Sequence, residues 1–376
     1  MAWLSIIKER GDNIMIMKKY ISAFIAAVFA VTSVTGCASG MTQTPGTASS
    51  GATADSGDEI SIVTTIFPEY DWVMNILGDN PAGAKVSMLL DNGVDLHSFQ
   101  PTAEDIMKIS DCDLFIYVGG ESDEWMEDVL EEAVNKDMIV INLLETLGDS
   151  VKEEEIVEGM EGHDHDHDHE DDEEHDHEDG EEHDHEEGEE HDHDHEEPEF
   201  DEHVWLSLRC ASTLTDSIAK ALETIDSANA DLYKKNADAY IAKLSELDNK
   251  YEESVSKAAT KTLLFGDRFP FRYMTDDYGL DYYAAFVGCS AETEASFETI
   301  SFLANKVDEL NLHAIMTIEG DNHKIAQTIA DTATASDIEI LTMDSMQSVT
   351  SKDVDAGATY LKIMDDNLAV LDKALK

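Results

Sequence analysis

Asp113-Leu-Phe-Ile-Tyr-Val-Gly119 is a short, almost unbroken apolar run lying between two stretches of helical period, residues 102–109 and 125–135. A strand covered on both faces reads this way. Strands that alternate with helices pair in parallel, because each helix crosses back over the sheet before the next strand begins. Towards the N-terminus the same alternation gives apolar runs at 60–65 and 86–89 with a helical pattern at 69–77 between them; towards the C-terminus a further run follows at 138–142.

The pattern resumes later. Residues 211–258 hold no Gly or Pro and repeat apolar residues at three- and four-residue steps (Leu214, Ile218, Leu222, Ile225; then Tyr240, Leu244, Leu247, Tyr251), which predicts a long helix with a break at 226–229. Beyond it, runs at 262–265, 282–287, 314–318 and 338–343 alternate with helical patterns at 297–310, 322–334 and 355–375. The expected fold class is α/β: two lobes, each a parallel sheet flanked by helices, joined by a long rigid helix. The expected boundaries are 60–210 for the N-terminal lobe, 211–258 for the linking helix and 259–376 for the C-terminal lobe.

The N-terminus reads as an export signal. Lys18 and Lys19 precede an apolar run from Ile21 to Val34, which ends in Val34-Thr35-Gly36-Cys37. Residues 17–37 are expected to be a lipoprotein signal peptide, with 1–16 an upstream mis-start, Cys37 the lipidated residue and 38–59 a flexible Gly/Ser/Thr/Ala linker. A plain signal peptide cut nearby is the simpler alternative. After processing, Cys112, Cys210 and Cys289 are left, an odd number without paired spacing, so no disulfide framework or CxxC zinc knuckle is expected. Each sits among apolar or small residues and reads as a buried, inert thiol.

Between residues 161 and 199 the chain concentrates eleven of its fifteen histidines: His163, His165, His167, His169, His175, His177, His183, His185, His191, His193 and His195. This run sits inside the expected N-terminal lobe and lacks the apolar residues needed to offset the entropy of ordering, so a hydrated loop is expected. Interspersed imidazoles and carboxylates make many weak, overlapping metal sites. The run also holds 24 Asp and Glu and no Lys or Arg, so it carries −24 of the formal charge of −59 and leaves −35 elsewhere. A remainder that acidic argues against nucleic acid as a partner, since a phosphate backbone requires a basic face. Cations are the expected attraction.

Four histidines lie outside the run: His97, His203, His313 and His323. His97 sits in Asp91-Asn-Gly-Val-Asp-Leu-His-Ser-Phe-Gln-Pro-Thr-Ala-Glu-Asp105, a loop leaving a strand, and His203 in Asp201-Glu-His-Val-Trp-Leu-Ser207. A lone loop histidine is ordinarily a solvated side chain. Loops at the carboxyl ends of parallel strands, however, are where α/β sheets hold their ligands.

Five motifs in order resemble the substrate-binding lipoproteins of bacterial zinc and manganese ABC importers, over residues 60–376 apart from the acidic run. They are His97-Ser-Phe-Gln-Pro-Thr-Ala-Glu-Asp, Cys112-Asp-Leu-Phe-Ile-Tyr-Val-Gly-Gly with Trp125, Asp201-Glu-His-Val-Trp-Leu, Asn236-Ala-Asp-Ala-Tyr, and Ala291-Glu-Thr-Glu-Ala-Ser. The resemblance implies one metal in the cleft, held by His97 and His203 from the first lobe and two ligands from the second, one of them Asp344 in Leu341-Thr-Met-Asp-Ser. On position alone, Asp344 also reads as a turn cap. The family's third histidine is missing. Gly266 is read as occupying its position in Phe265-Gly-Asp-Arg-Phe-Pro-Phe-Arg-Tyr-Met-Thr-Asp-Asp-Tyr-Gly-Leu280, two residues further from Tyr-Gly-Leu than in the family. Asp267, Glu294, Glu319, a histidine of the run or water are candidates for that place, with Asp267 preferred; Arg268 is expected to pair with a carboxylate.

The resemblance implies a monomeric, extracytoplasmic protein, tethered to the cell membrane by its N-terminal lipid, that captures Zn2+ and hands it to a membrane ABC permease. Mn2+ is the near alternative, with a storage or adhesion lipoprotein and a zinc hydrolase further off. Imidazoles favour zinc over manganese, which takes more oxygen ligands. No His-Glu-x-x-His occurs in the chain, so no enzyme is expected.

Overall fold

The computed structural model describes residues 59–161, 199–290, 294–320 and 322–376. The signal segment, Cys37, the linker up to residue 58 and the histidines of the acidic run lie outside the described residues.

The first lobe carries β1 (Ser61–Thr64), β2 (Lys85–Met88), β3 (Leu114–Tyr117) and β4 (Ile139–Asn142), all parallel, in the order β2-β1-β3-β4. Leu114, Phe115 and Ile116 are fully buried, which is why the deciding run has no polar alternation. The second lobe repeats the plan with β5 (Thr262–Phe269), β6 (Asp281–Val287), β7 (Ala314–Ile318) and β8 (Glu339–Met343), parallel in the order β6-β5-β7-β8. In each sheet the order reverses beside its first strand, and the loops leaving the carboxyl ends there bound a crevice.

In the first lobe α1 (Phe67–Leu77), α2 (Ala103–Asp111), α3 (Met126–Glu131) and α4 (Leu143–Leu147) follow the strands. Thr102 caps α2 in the reciprocal arrangement its sequence signals: its hydroxyl accepts from Asp105 N, and the Asp105 carboxylate accepts from Thr102 N. The stretch read as one linking helix is two helices, α5 (Leu208–Ile225) and α6 (Ala230–Lys257), packed against each other. The break falls at the expected place, where Asp226 accepts from Asn229 Nδ2 and Tyr233 Oη, both at 2.7 Å. The 28-residue α6, about 42 Å long at helical rise, is the connector. Asn236 Nδ2 donates to Ile76 O (2.9 Å) and Tyr240 Oη to the buried Asp71 (2.9 Å), fixing its first half to α1.

The second lobe adds α7 (Arg272–Tyr278), α8 (Phe297–Leu310), α9 (Lys324–Thr332), α10 (Ser351–Asp355) and α11 (Tyr360–Ala374). The terminal helix expected over 355–375 is interrupted between α10 and α11, where Gly357 takes φ +101°. Tyr251 of α6 donates to Met364 O of α11 (2.6 Å), and Tyr360 meets Trp72 of α1 edge-on at 5.4 Å. The C-terminal helix therefore returns to the first lobe, and one apolar core runs through both sheets.

The segment leading into the acidic run departs from the expected 60–210 boundary, since residues 152–161 lie along the second lobe. Lys152 N donates to Tyr273 Oη, Arg272 Nε to Glu153 O, and Glu161 N to Ala285 O beside β6. Gly159 packs under Phe302 of α8 at φ +82°, where an added Cβ would come within 2.0 Å of the ring. The run thus leaves from the second lobe. The chain returns through Phe200, which bridges to Glu153, directly into Asp201-Glu202-His203.

Candidate metal site

His97 lies in a 3-10 turn, Leu96–Ser98, that Asp95 caps by accepting from His97 N (3.0 Å). Leu96, fully buried, anchors the turn in the core and points the histidine into the crevice. His97 Nδ1 is 2.8 Å from Ser122 Oγ and 3.4 Å from Glu202 Oε2, and its Nε2 is turned towards His203.

His203 is fully buried. Its Nδ1 is 3.0 Å from Asp201 Oδ1, which also accepts from His203 N (2.9 Å), and its ring lies 5.2 Å from that of Trp205. Trp205 Nε1 in turn donates to Ser345 O across the cleft (2.8 Å). A carboxylate on Nδ1 fixes the tautomer with a proton there and directs the Nε2 lone pair at a cation. The Nε2 atoms of His97 and His203 lie 3.2 Å apart.

Among the described residues, one group of three or more His, Cys, Asp or Glu side chains has metal-ligand spacing: His97, His203 and Cys289, whose donor atoms lie within 4.8 Å of one another. Cys289 stands two residues beyond β6, in the second lobe. Cys289, read from sequence as one of three inert thiols, is the one placed beside the two imidazoles. The usable signal was its place at the carboxyl end of a parallel strand, but its neighbours in three dimensions come from two remote loops.

The surroundings are strongly acidic. Burial opposes charge on the His203 ring, yet Asp201, Glu202 and Asp95 outweigh it and raise its pKa. Burial pushes the Glu202 carboxyl up to about 7, against hydrogen bonds from Ser122. It also raises the Cys289 thiol well above its usual range, together with Asp201, Glu202 and Glu154, which accepts the thiol's hydrogen bond. An arriving divalent cation would relieve this crowding and displace protons.

Neither second-lobe carboxylate expected from the sequence joins the group. Asp267 is occupied by backbone: its oxygens accept from Arg268 N (2.8 Å) and Ile318 N (3.1 Å). Asp344 accepts from Met346 N (2.8 Å), the contact a turn cap makes, and burial with nearby Glu319 pushes its carboxyl up to about 6. Glu319 accepts from Ser345 N and Oγ (2.6 and 2.7 Å), while Glu294 is exposed. His313 is exposed, and His323 opens α9; neither is in the group.

Gly266 cannot host a histidine. A Cβ there would lie 2.6 Å from Ala326 Cα in α9, so the strand and helix backbones meet at this point. Arg268 sits at the end of β5, past a bulge, and donates to Asp95 Oδ2 (2.8 Å) and Ser290 O (3.3 Å). The expected pairing with a carboxylate is what the structure shows.

The profile of the family described as zinc-uptake complex component A, periplasmic, matches residues 62–374. The chain belongs to this family. Within the zinc-uptake family it is 30% identical over 317 residues to the zinc-binding protein AdcA of Streptococcus pyogenes, covering 83% of this chain and 55% of that protein. It is 30% identical over 331 residues to the high-affinity zinc uptake system protein ZnuA of Bacillus subtilis, covering 88% and 92%. The Zn(II)-bound ZnuA-like domain of Streptococcus pneumoniae AdcA superposes with a TM-score of 0.61 at 25% identity, over 84% of this chain and 99% of that domain. The chain thus spans about half the length of the streptococcal AdcA proteins, and the two-lobed α/β architecture is that of the zinc-uptake family.

Proposed function

We propose that this protein captures zinc outside the cytoplasmic membrane and delivers it to an ABC permease, performing no chemistry on it. The observation that carries the reading is the pair of imidazoles. Two nitrogens bound to one tetrahedral zinc at 2.0–2.1 Å stand about 3.3 Å apart, and His97 Nε2 and His203 Nε2 stand 3.2 Å apart. Ser122 and Asp201 hold the opposite ring nitrogens, so the pair is pre-oriented with donors converging on one point. The same match, the family membership and the zinc named in the relatives favour zinc as the cargo.

Export and lipidation at Cys37 would place the site on the outer face of the membrane, with residues 38–59 as a leash. No helix among the described residues is long and apolar enough to cross a membrane. The histidines from His163 to His195 would add weak equivalents that raise the local zinc concentration beside His203. Competition titration against a chromophoric zinc chelator tests the assignment in a chain lacking residues 162–198. His97→Ala and His203→Ala should each weaken the one-equivalent site by at least about tenfold. Unchanged affinity in either variant would refute it.

A further inference from the structure

Resting on the zinc-capture reading, we propose that Cys289 supplies a thiolate as the third ligand, so that the centre is a bis-imidazole, single-thiolate site assembled from both lobes and selective for zinc and softer cations over manganese. Three observations converge on it. The donor atoms of His97, His203 and Cys289 lie within 4.8 Å of one another, and they form the only such group among the described residues. Gly288, immediately before the cysteine, lets the peptide lie against His203: an added Cβ would come within 3.0 Å of Cε1 and 3.1 Å of Nδ1.

The third observation is a clamp. Arg268 donates to Ser290 O, one residue past the cysteine, and to Asp95, which caps the turn holding His97. One guanidinium from the second lobe therefore ties the thiol's loop to the turn carrying an imidazole from the first. Its positive charge also offsets the added thiolate among Asp95, Asp201 and Glu202.

In a tetrahedral zinc site with Zn–N of 2.0–2.1 Å and Zn–S of 2.3 Å, sulfur stands about 3.6 Å from each nitrogen. From 4.8 Å or less, the thiol reaches that position by moving about 1 Å, a side-chain rotation or a slight approach of the lobes. On binding, the S–H bond breaks, the sulfur lone pair joins the cation, and one proton leaves to solvent, with no change of oxidation state. Thiolate favours Zn, Cd and Cu(I), whereas Mn prefers oxygen. Because the sulfur comes from the other lobe, occupancy would draw the lobes together.

The full chain serves for the test, since the acidic run contains no cysteine and cannot imitate a thiolate signature. One equivalent of Co(II) should produce a sulfur-to-cobalt charge-transfer band. X-ray absorption of the one-equivalent zinc complex should show one sulfur at about 2.3 Å. Cys289→Ser should abolish both signatures and weaken zinc at least about tenfold with little change for manganese; Cys210→Ser should keep them. A tight site that depends on His97 and His203 but shows no sulfur, or a sulfur signature surviving in Cys289→Ser, would overturn the thiolate ligand while leaving zinc capture intact. Absence of any tight one-equivalent site would overturn both. The absorption measurement on the unmodified chain holds whether or not the serine variant folds.

Discussion

Replacing Gly288 by Ala adds one methyl group to the wall behind His203. Gly288 does not have a positive φ, so the substitution tests space alone. The new Cβ would lie 2.9 Å from Phe269 O, 3.0 Å from His203 Cε1 and 3.1 Å from His203 Nδ1. Ordinary contacts are about 3.5–4.0 Å, so about 0.5 Å of overlap must be relieved. Phe269 O belongs to the backbone of β5 and holds its place, so the added methyl is forced away from it and the imidazole on its other side must tilt. It is fully buried and held by Asp201 at 3.0 Å, and a tilt of that size stretches this hydrogen bond to about 3.5 Å, beyond useful range. Overpacking should cost about 1–3 kcal/mol of folding stability. Loss of the orienting carboxylate should weaken zinc about 10–100-fold. Urea denaturation of the metal-free protein and chelator competition read the two effects separately. A Gly288→Ala protein with wild-type stability and zinc affinity within about twofold of wild type would refute the packing described for His203.

Asp71 is buried and its carboxyl is pushed up to about 6, against the hydrogen bond from Tyr240. Its folded pKa lies above the unfolded value of about 3.9, so its stabilising contribution is full below about pH 4 and is lost as pH rises through about 6. Relative to Asp71→Asn, the wild type should lose up to about 3 kcal/mol between about pH 4 and 7; parallel urea-stability profiles would contradict this. Gly266→His should not restore a metal ligand but should destabilise the second lobe by about 1–3 kcal/mol or more, because its Cβ meets the α9 backbone; a stable variant with tighter zinc binding would contradict this. Deleting residues 162–198 should lower the number of zinc equivalents bound while leaving the one-equivalent affinity within about twofold; a chelator competition showing collapse of the tight site would contradict it.

Alternation of apolar runs with helical periods made both sheets legible, because strands covered on two faces carry no competing polar signal. Elements whose limits depend on one local contact were less so. Asp226 ends α5 through Asn229 and Tyr233, and composition already marked that break, but nothing in residues 152–161 signalled that they lie along the second lobe. His97 and His203 were readable because each sits in a motif that shapes its own loop: Asp95 caps one turn, and Asp201 orients the other.

The place of Cys289 beside the two imidazoles was not readable, since it depends on two loops 192 and 86 residues earlier. Asp267 was favoured for adjacency in sequence, yet its carboxylate faces the backbone of β7. The missing histidine was placed at Gly266 because Phe265-Gly-Asp resembles the family's Phe-His-Asp. Packing of α9 against that glycine leaves no room for a side chain at position 266, and Arg268, two residues on, reaches Asp95 of the first lobe.

Anomalous diffraction at the zinc edge, on crystals of the chain lacking residues 162–198 loaded with one equivalent, tests the central claim most directly. The account predicts a single strong peak about 2.0–2.1 Å from both His97 Nε2 and His203 Nε2. A single peak placed elsewhere, with these two nitrogens still facing each other at 3.2 Å, would contradict it.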